Sequence, residues 1–538
     1  MKNLKKWIAI VSAALFSLSF IACQQNNDRL LKYANRPNKV SVELFESGYG
    51  TLWFEDIAVY YMENIDTETY IDIKTTVLNS EETAKLEAGI STYDLYLLDN
   101  LYSEKSYLFS DLSDVVNDYA LGESAENSKI IKEKIDADLY DIYSDNGKIY
   151  QLPWHTQQGY GWAYNKTTID DALGEKNWRV PRTTDEFFEL GDRLQEKSVY
   201  LFVASYGDQE DYTKRGTQTW FAQMLGEEGF KRYINAYAKD SIGEWYFCED
   251  APDMIQQNED GIKAMYEVVK KLHLSGNGYL HSDSASMTFM DVESSFVGYG
   301  FGRNLRKPAF LFNGPWLENE MGELIDHITL EGKPQEIRMM KMPIISDIIA
   351  RTPSIKDEAT LRQVISYIDG ETDVLPNGVE AEDVSIVEEA RRMVPTMVSG
   401  TMVIPKKASN IEGAKDFLRF LASDVAQKIT TESTFGINML PFGYQPLEED
   451  LKTNFIRDLN NINKNSIRIE GISISKVSEF ASVTGFLLQT SSSDLGYGIS
   501  IQDPVNVQSA DEYYEELYNY YNNRWPNMIE NYKLATGK

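Results

Sequence analysis

VSVELFESGYGTLWFEDIAVYYMENIDTETYIDIK, residues 40–74, holds two strands with a helix between them. Alternation over Val40-Ser41-Val42-Glu43-Leu44 predicts a strand, because side chains two apart share a face. Trp53, Ile57, Tyr60 and Tyr61 then recur at helical spacing, and Tyr70-Ile71-Asp72-Ile73-Lys74 returns to strand character. A second helical segment over residues 81–88 and a third strand over 93–98 follow. Strand–helix–strand–helix–strand at this spacing predicts a parallel sheet with crossover helices, an α/β fold. Ligands of such sheets sit beyond the carboxyl ends of the strands. That edge carries Ser47 to Trp53 after the first strand and Asp99 to Tyr102 after the third.

A second α/β unit is predicted after Ile149. Thr183-x-x-Glu186 reads as a capping box opening a helix through Phe187, Leu190 and Leu194. Residues 215–225 and 261–274 carry helical patterns, and 337–345 reads as a strand. An acidic insertion over 346–392 then contains helical patches at 358–368 and 381–392. Ser409-x-x-Glu412 reads as a second capping box, followed by one apolar stripe of Ile411, Ala414, Phe417, Leu421 and Val425. The tail from 511 to 532 is helical and crowded with tyrosine. The chain shows no internal repeat and no low-complexity segment.

The first residues say where the protein works. Lys2, Lys5 and Lys6 precede an uncharged, mostly apolar run over residues 7–22, which ends in Phe20-Ile21-Ala22 before Cys23. A basic start, a short apolar core and a small residue before a cleavage point make an export signal. The run is short for a membrane span of ~20 residues. Residues 24–38 are polar and aperiodic, a tether. The 538 residues carry 52 Lys and Arg against 83 Asp and Glu, a net charge of −31. Loss of the signal removes three lysines and no acid, so the mature chain is more acidic still. Such a surface repels nucleic acid and anionic lipid. With Cys23 used elsewhere, Cys248 is the one remaining thiol of two, so core burial rather than a disulfide must hold the fold. Tyr (33) and Trp (9) are abundant enough to fill cores and also to furnish platforms for sugar rings.

Cys23 after a small residue resembles the lipobox of bacterial lipoproteins, with Phe20 standing where an aliphatic residue is usual. Asp145-Asn146-Gly147-Lys148-Ile149-Tyr150-Gln151-Leu152-Pro153, then Gly161-Trp162-Ala163-Tyr164-Asn165-Lys166, then Pro181-x-Thr183-x-Asp185-Glu186-Phe187, resembles a signature of family 1 extracellular solute-binding proteins, the sugar-capturing components of ABC importers. Three further segments follow in the family's order: Ala309 to Trp316 with its Asn313-Gly314-Pro315-Trp316 ending, Lys341-Met342-Pro343-Ile344-Ile345, and Gly400-Thr401-Met402-Val403-Ile404-Pro405.

The resemblance implies a periplasmic-binding-protein-like type II architecture, two α/β lobes joined by hinge strands that close on a ligand. It maps a signal peptide to 1–22, a lipid-anchored linker to 23–38, and lobe 1 to 39–153 plus 396–441. Lobe 2 maps to 154–345 plus 442–538, and an inserted helical segment near the hinge to 346–395. It implies a carbohydrate ligand, an ABC permease partner, attachment to the membrane through a lipid on Cys23, no nucleic acid, no cofactor and a monomeric state. The place implied is the extracytoplasmic face of the cell membrane.

A pyranose has an apolar face and a rim of hydroxyls, so it calls for flat aromatic surfaces with carboxylates and amides at the edge. Trp316 matches the family position that stacks on sugar, with Asn313 before it. Trp154 and His155 follow the first hinge crossing. Asp99, Asn100 and Tyr102 stand where the family places polar contacts, although a capped turn needs the same residue types. Tyr49 and Trp53 join the ligand-binding set, and Trp53 also shares a helical stripe with Ile57 and Tyr61, the mark of a core residue. Trp162 alternates within a strand and reads as buried. His273 and His281 lack a His-Glu-x-x-His frame, and Gly298-x-Gly300-x-Gly302 lacks the strand-to-helix context of a dinucleotide loop. The chain therefore reads as a binding protein and not an enzyme. An envelope glycoside hydrolase or polysaccharide-processing lipoprotein is the second reading, and an oligopeptide-binding lipoprotein the third.

Overall fold

The computed structural model describes residues 29–76, 84–86, 88–98, 103–145, 147–157, 159–206, 210–230, 237–239, 245–247, 249, 253–274, 276–298, 306–437, 440–469 and 509–536. Cys23, Asp99, Asn100, Tyr102 and Cys248 lie outside the described residues, as does the side chain of His155. The chain divides into two compact units, Met1–Thr156 with Ser399–Asp450, and Gln157–Val398 with Leu451–Lys538.

Nine strands build the two main sheets: β1 (Asn38–Phe45), β2 (Thr69–Thr76), β3 (Leu95–Leu98), β4 (Leu152–Gln157), β5 (Gly161–Asn165), β6 (Tyr200–Val203), β7 (Pro308–Asn313), β8 (Ile337–Met340) and β9 (Met397–Val403). The helices that matter here are α1 (Leu52–Tyr60), α2 (Thr184–Glu196), α3 (Glu210–Leu225), α4 (Glu259–His273), α5 (Phe289–Phe296), α6 (Leu317–Leu330), α7 (Glu358–Ile368), α8 (Ala381–Arg392), α9 (Ile411–Leu421), α10 (Asp424–Ser433), α11 (Asn454–Asn463) and α12 (Ala510–Thr536).

In the first unit the sheet order is β2-β1-β3-β9-β4. β1 runs parallel to β2 from Asn38↔Thr69 to Phe45↔Thr76, and parallel to β3 from Val42↔Leu95. β9 returns antiparallel to β3, with Thr401 opposite Leu98. Val40, Val42, Glu43 and Leu44 are all buried, as expected of a central strand covered on both faces. α1 covers it with Trp53, Phe54, Ile57 and Ala58. α9 buries Ala414, Phe417, Phe420 and Leu421, and Phe417 meets Phe54 edge-on at 5.8 Å.

Two sequence expectations change here. Asn410, not Ser409, caps α9, its side chain accepting from Gly413 N. Ser409 Oγ donates instead to Asp94 Oδ1 at 2.7 Å, and Asp94 also accepts from Ser41 N, Ser41 Oγ and Asn410 N. Burial works to raise the Asp94 carboxyl, but these donors from Ser41, Ser409 and Asn410 hold it below the usual range. The apolar stripe also ends at Leu421. Ser423 caps a new helix, α10, and Val425 on it is exposed.

In the second unit the sheet order is β8-β5-β7-β6, with β7 parallel to β6 and antiparallel to β5. All six residues of β7 are buried. Thr183 caps α2 by accepting from Glu186 N, but the other half of the box is redirected: Glu186 Oε2 takes Arg182 N at 2.8 Å. β8 stops at Met340, short of the predicted 345, because Pro343 has no N–H for a ladder. Its carbonyl accepts from Trp220 Nε1 at 3.0 Å, and Ile344 makes one isolated bridge to Thr183. The insertion helices form at the predicted bounds. Arg391 of α8 pairs with Asp369 at 2.8 Å, and Lys341 pairs with the same carboxylate at 2.9 Å. Gln223 of α3 donates to Ala390 O of α8, so the insertion is built into this unit. Tyr513 of α12 stacks on Tyr266 of α4 at 4.3 Å.

Candidate functional site

The carboxyl edge of the parallel strands is where each unit gathers its large aromatic side chains. In the first unit, Trp53 and Trp154 lie face to face at 6.0 Å and 13°. Trp154 Nε1 donates to Leu98 O, the last carbonyl of β3, at 2.8 Å, and Trp53 Nε1 donates to Gly50 O at 3.0 Å. Trp53 is 1% exposed, Trp154 is 0% exposed and Tyr49 is buried beside this edge of the chain. Here the expected platforms give way to a closed pair: each indole spends its face on the other and its N–H on the backbone. The pair anchors the loop after β1 to the end of β3, where the sequence places Asp99, Asn100 and Tyr102.

In the second unit the corresponding edge holds a cavity of about 30 Å³. Its aromatic walls are Trp162 of β5, Phe202 of β6, Trp220 of α3, Phe289 of α5 and Phe312 of β7, and its polar groups include Glu293, Asn313 and Thr217. The rings interlock: Trp162 meets Phe202 edge-on at 5.7 Å and Phe312 edge-on at 5.5 Å. Gly216 of α3 lies against the Phe312 ring, which a Cβ would meet at 3.3 Å. β6 and β7 run parallel, and Val203, Leu311, Phe312 and Asn313 bring the ends of both to the cavity.

Asn313 is 1% exposed and is held on both sides. Its Nδ2 donates to Glu293 Oε1 at 2.6 Å, and its Oδ1 accepts from Gly314 N at 2.6 Å. Trp316 follows as the N-cap residue of α6. Its ring folds back over Gly314, where a Cβ would stand 2.1 Å from the ring, and packs edge-on against Tyr160 at 5.1 Å. Trp316 is 5% exposed, so its ring is packed within the unit. The structure thus brings Asn313 and Trp316 together at one turn, beside the cavity that only Asn313 lines.

The electrostatics of this corner are unusual for an acidic chain. Burial pushes the Glu293 carboxyl up to about 7, and pushes Glu320 on α6 further above the carboxylate range, with the neighbouring Glu293 charge adding to the rise. Glu318 is raised to about 7 by burial, although Thr453 Oγ1 donates to it. His273, at the cavity wall and fully enclosed, is pushed down to about 3 by burial, so its imidazole is neutral. Among the described residues no group of three His, Cys, Asp or Glu side chains could hold a metal ion.

Sequence reasoning missed Glu293, Trp220, Phe312 and Tyr160. One signal for Glu293 was present: Phe289, Val292, Glu293 and Phe296 share one helical face, and an acid on an apolar stripe asks for a reason. Trp220 and Phe312 carry no such mark, since an aromatic on a buried element looks the same whether it lines a cavity or fills a core.

Residues 52–282 match the family model of bacterial extracellular solute-binding proteins. The match spans 231 of the 538 residues, less than half of the chain, and is a likeness of that part to extracellular solute-binding proteins. In fold, the chain is similar to the apo form of RafE from Streptococcus pneumoniae, with a TM-score of 0.52 and 14% identity over 90% of this chain and 98% of that one. It is similar to a chitin oligosaccharide binding protein at a TM-score of 0.52 and 15% identity, covering 91% and 100% of the two chains. Maltose-bound MalE3 of T. maritima gives 0.52 and 13%, covering 90% and 98%. No curated protein matches the chain by sequence. These likenesses establish the two-sheet α/β fold of type II periplasmic binding proteins. Among the described residues no helix is long and apolar enough to cross a membrane.

Proposed function

We propose that this chain is a solute-binding protein that captures a carbohydrate, with oligosaccharides as its class, and hands it to the permease of an ABC importer while tethered to the extracytoplasmic face of the membrane by a lipid on Cys23. The observation that carries the reading is the composition of the second unit's cavity edge: five Trp and Phe rings with a carboxylate and an amide already oriented by each other. Apolar faces suit the C–H surface of a sugar, and the Glu293–Asn313 pair suits its hydroxyls. The ligands of similarly folded proteins, raffinose for RafE, chitin oligosaccharide and maltose, support the same class. Of the expected contacts, Asn313 and Trp316 at the second unit's turn and Tyr49, Trp53, Trp154, His155, Asp99, Asn100 and Tyr102 at the first unit's edge remain the proposed ligand-binding set. Trp53 and Trp154 act in it as a rigid support.

A thermal-shift panel of mono- and oligosaccharides tests the proposal. A ligand at 100 times its dissociation constant adds about 2.7 kcal/mol of stability, a readily measured rise in melting temperature. One carbohydrate class should stabilise the protein, and the bound sugar should be recovered intact. Stabilisation by peptides alone, or release of cleaved sugar, would overturn it.

A further inference from the structure

The second unit's cavity holds two polar atoms that the chain leaves without partners. Trp162 Nε1 is a donor, Glu293 Oε2 is an acceptor, and both are buried with no hydrogen-bond partner among the described residues. Trp162 is 3% exposed and Glu293 is 1% exposed, and both line the cavity. A buried polar group left unpaired costs about 1–3 kcal/mol, more when it is charged. Two of them in one small space mark a place where a group from outside completes the bonding. Glu293 Oε1 is already engaged by Asn313, and Asn313 by Gly314, so the carboxylate is fixed in orientation before any ligand arrives. Glu320 stands beside it. A carboxylate has about four acceptor sites, so a proton shared with Glu320 still leaves one for a further donor.

The chemistry of the missing partner follows from the two atoms. A carbonyl or carboxylate would satisfy the indole but would set a second acceptor against Glu293. An ammonium would satisfy Glu293 and leave the indole unpaired. A hydroxyl oxygen does both, donating its proton and accepting on a lone pair. A cavity of about 30 Å³ has room for about two water-sized atoms, too little for a pyranose ring and enough for a carbon and an oxygen. Phe202, Trp220 and Phe312 supply the apolar wall that a methylene requires.

Resting on the carbohydrate reading, we propose that the cavity receives the exocyclic primary alcohol of a hexose unit, its hydroxyl donating to Glu293 Oε2 and accepting from Trp162 Nε1 while the ring stays outside at the strand edge. Glu293 and Trp162 are then specificity-determining residues, selecting hexoses over pentoses and 6-deoxy sugars.

Calorimetry tests this with the tightest carbohydrate from the panel and its 6-deoxy analogue, on the wild type and on Trp162→Phe. In the wild type, loss of the hydroxyl should weaken binding about 10- to 100-fold, the size of the two buried hydrogen bonds it makes. Trp162→Phe keeps a ring and removes the donor. It should narrow the difference between the two ligands about threefold or more without abolishing it, because the hydroxyl still donates to Glu293. If that variant fails to fold, the wild-type comparison with the matched pair cellotriose and xylotriose, which differ only in the primary alcohol, decides alone. Equal affinities in the wild type, or a tightest ligand without a primary alcohol, would mean that the cavity holds water only and would overturn the inference while the carbohydrate reading stands. Binding by no carbohydrate at all overturns both.

Discussion

Trp316 shows how one side chain joins a turn, a helix start and a site. Its ring lies over Gly314 and against Tyr160, so substitution tests two roles at once. As a ligand contact, Trp316→Ala should cost ~2 kcal/mol or more of binding. As packing, it should cost ~3–5 kcal/mol of folding stability. Calorimetry with sugar and melting without it separate the two, and its 5% exposure leads us to expect the larger change in melting. Gly314→Ala should act like a milder version, because the new methyl meets the ring and must displace it. Trp154→Phe makes a cleaner case. The stacked partner of Trp53 is kept while the bond to Leu98 O is lost, and urea unfolding should report a loss of about 0.5–1.5 kcal/mol. A change of less than ~0.3 kcal/mol would show that the indole N–H does not hold the end of β3.

At the level of elements, α6 sets two effects against each other. Glu318 and Glu320 stand in its first turn, where the helix dipole favours their ionised form by about 0.3–1 kcal/mol. Burial wins: Glu318 moves from 4.5 to about 7, near 3 kcal/mol at ~1.4 kcal/mol per unit. Between those values the folded chain binds more protons than the unfolded one, so this group lowers stability as pH rises from about 4.5 to about 7. Melting temperature should therefore fall over that range, and Glu318→Gln, which can still accept from Thr453, should reduce the fall by a few degrees. An identical pH profile for the variant would place the titration elsewhere.

Elements also show what the sequence could reveal. The three parallel strands, both insertion helices and the tyrosine-rich tail helix were legible because period and capping are local properties. The Ser409 cap failed because its hydroxyl is drawn to Asp94, 315 positions away in the chain, and no local pattern announces that. For the candidate site, Asn313 and Trp316 were indicated by the family resemblance of their segment, whereas the cavity is assembled from six elements, and its one hint was an acid on the apolar face of α5.

For the whole molecule, the proposed anchor is open to a direct test. Cys23→Ser should move the protein from the membrane fraction to the soluble one, since the thioether to lipid can no longer form. Retention on membranes after a high-salt wash would rule the anchor out. The insertion should behave as part of its unit: Asp369→Asn removes the shared partner of Arg391 and Lys341 and leaves a mostly buried guanidinium short of its charge partner, at a cost of about 3 kcal/mol or more in unfolding free energy.

The position of β9 in the first sheet has a consequence in time. It lies between β3 and β4, yet it leaves the ribosome about 300 residues after the end of β3 and about 245 after the start of β4. Until residue 403 has emerged, β3 and β4 each present an open edge, a template for pairing with another chain. A fragment ending before residue 397 should therefore aggregate, while the full chain should fold slowly for its size because its sheet is closed by a distant segment. For the export that the N-terminal signal implies, that delay is useful, since a chain that cannot complete its first sheet before three quarters of it is made stays threadable through a narrow secretion pore.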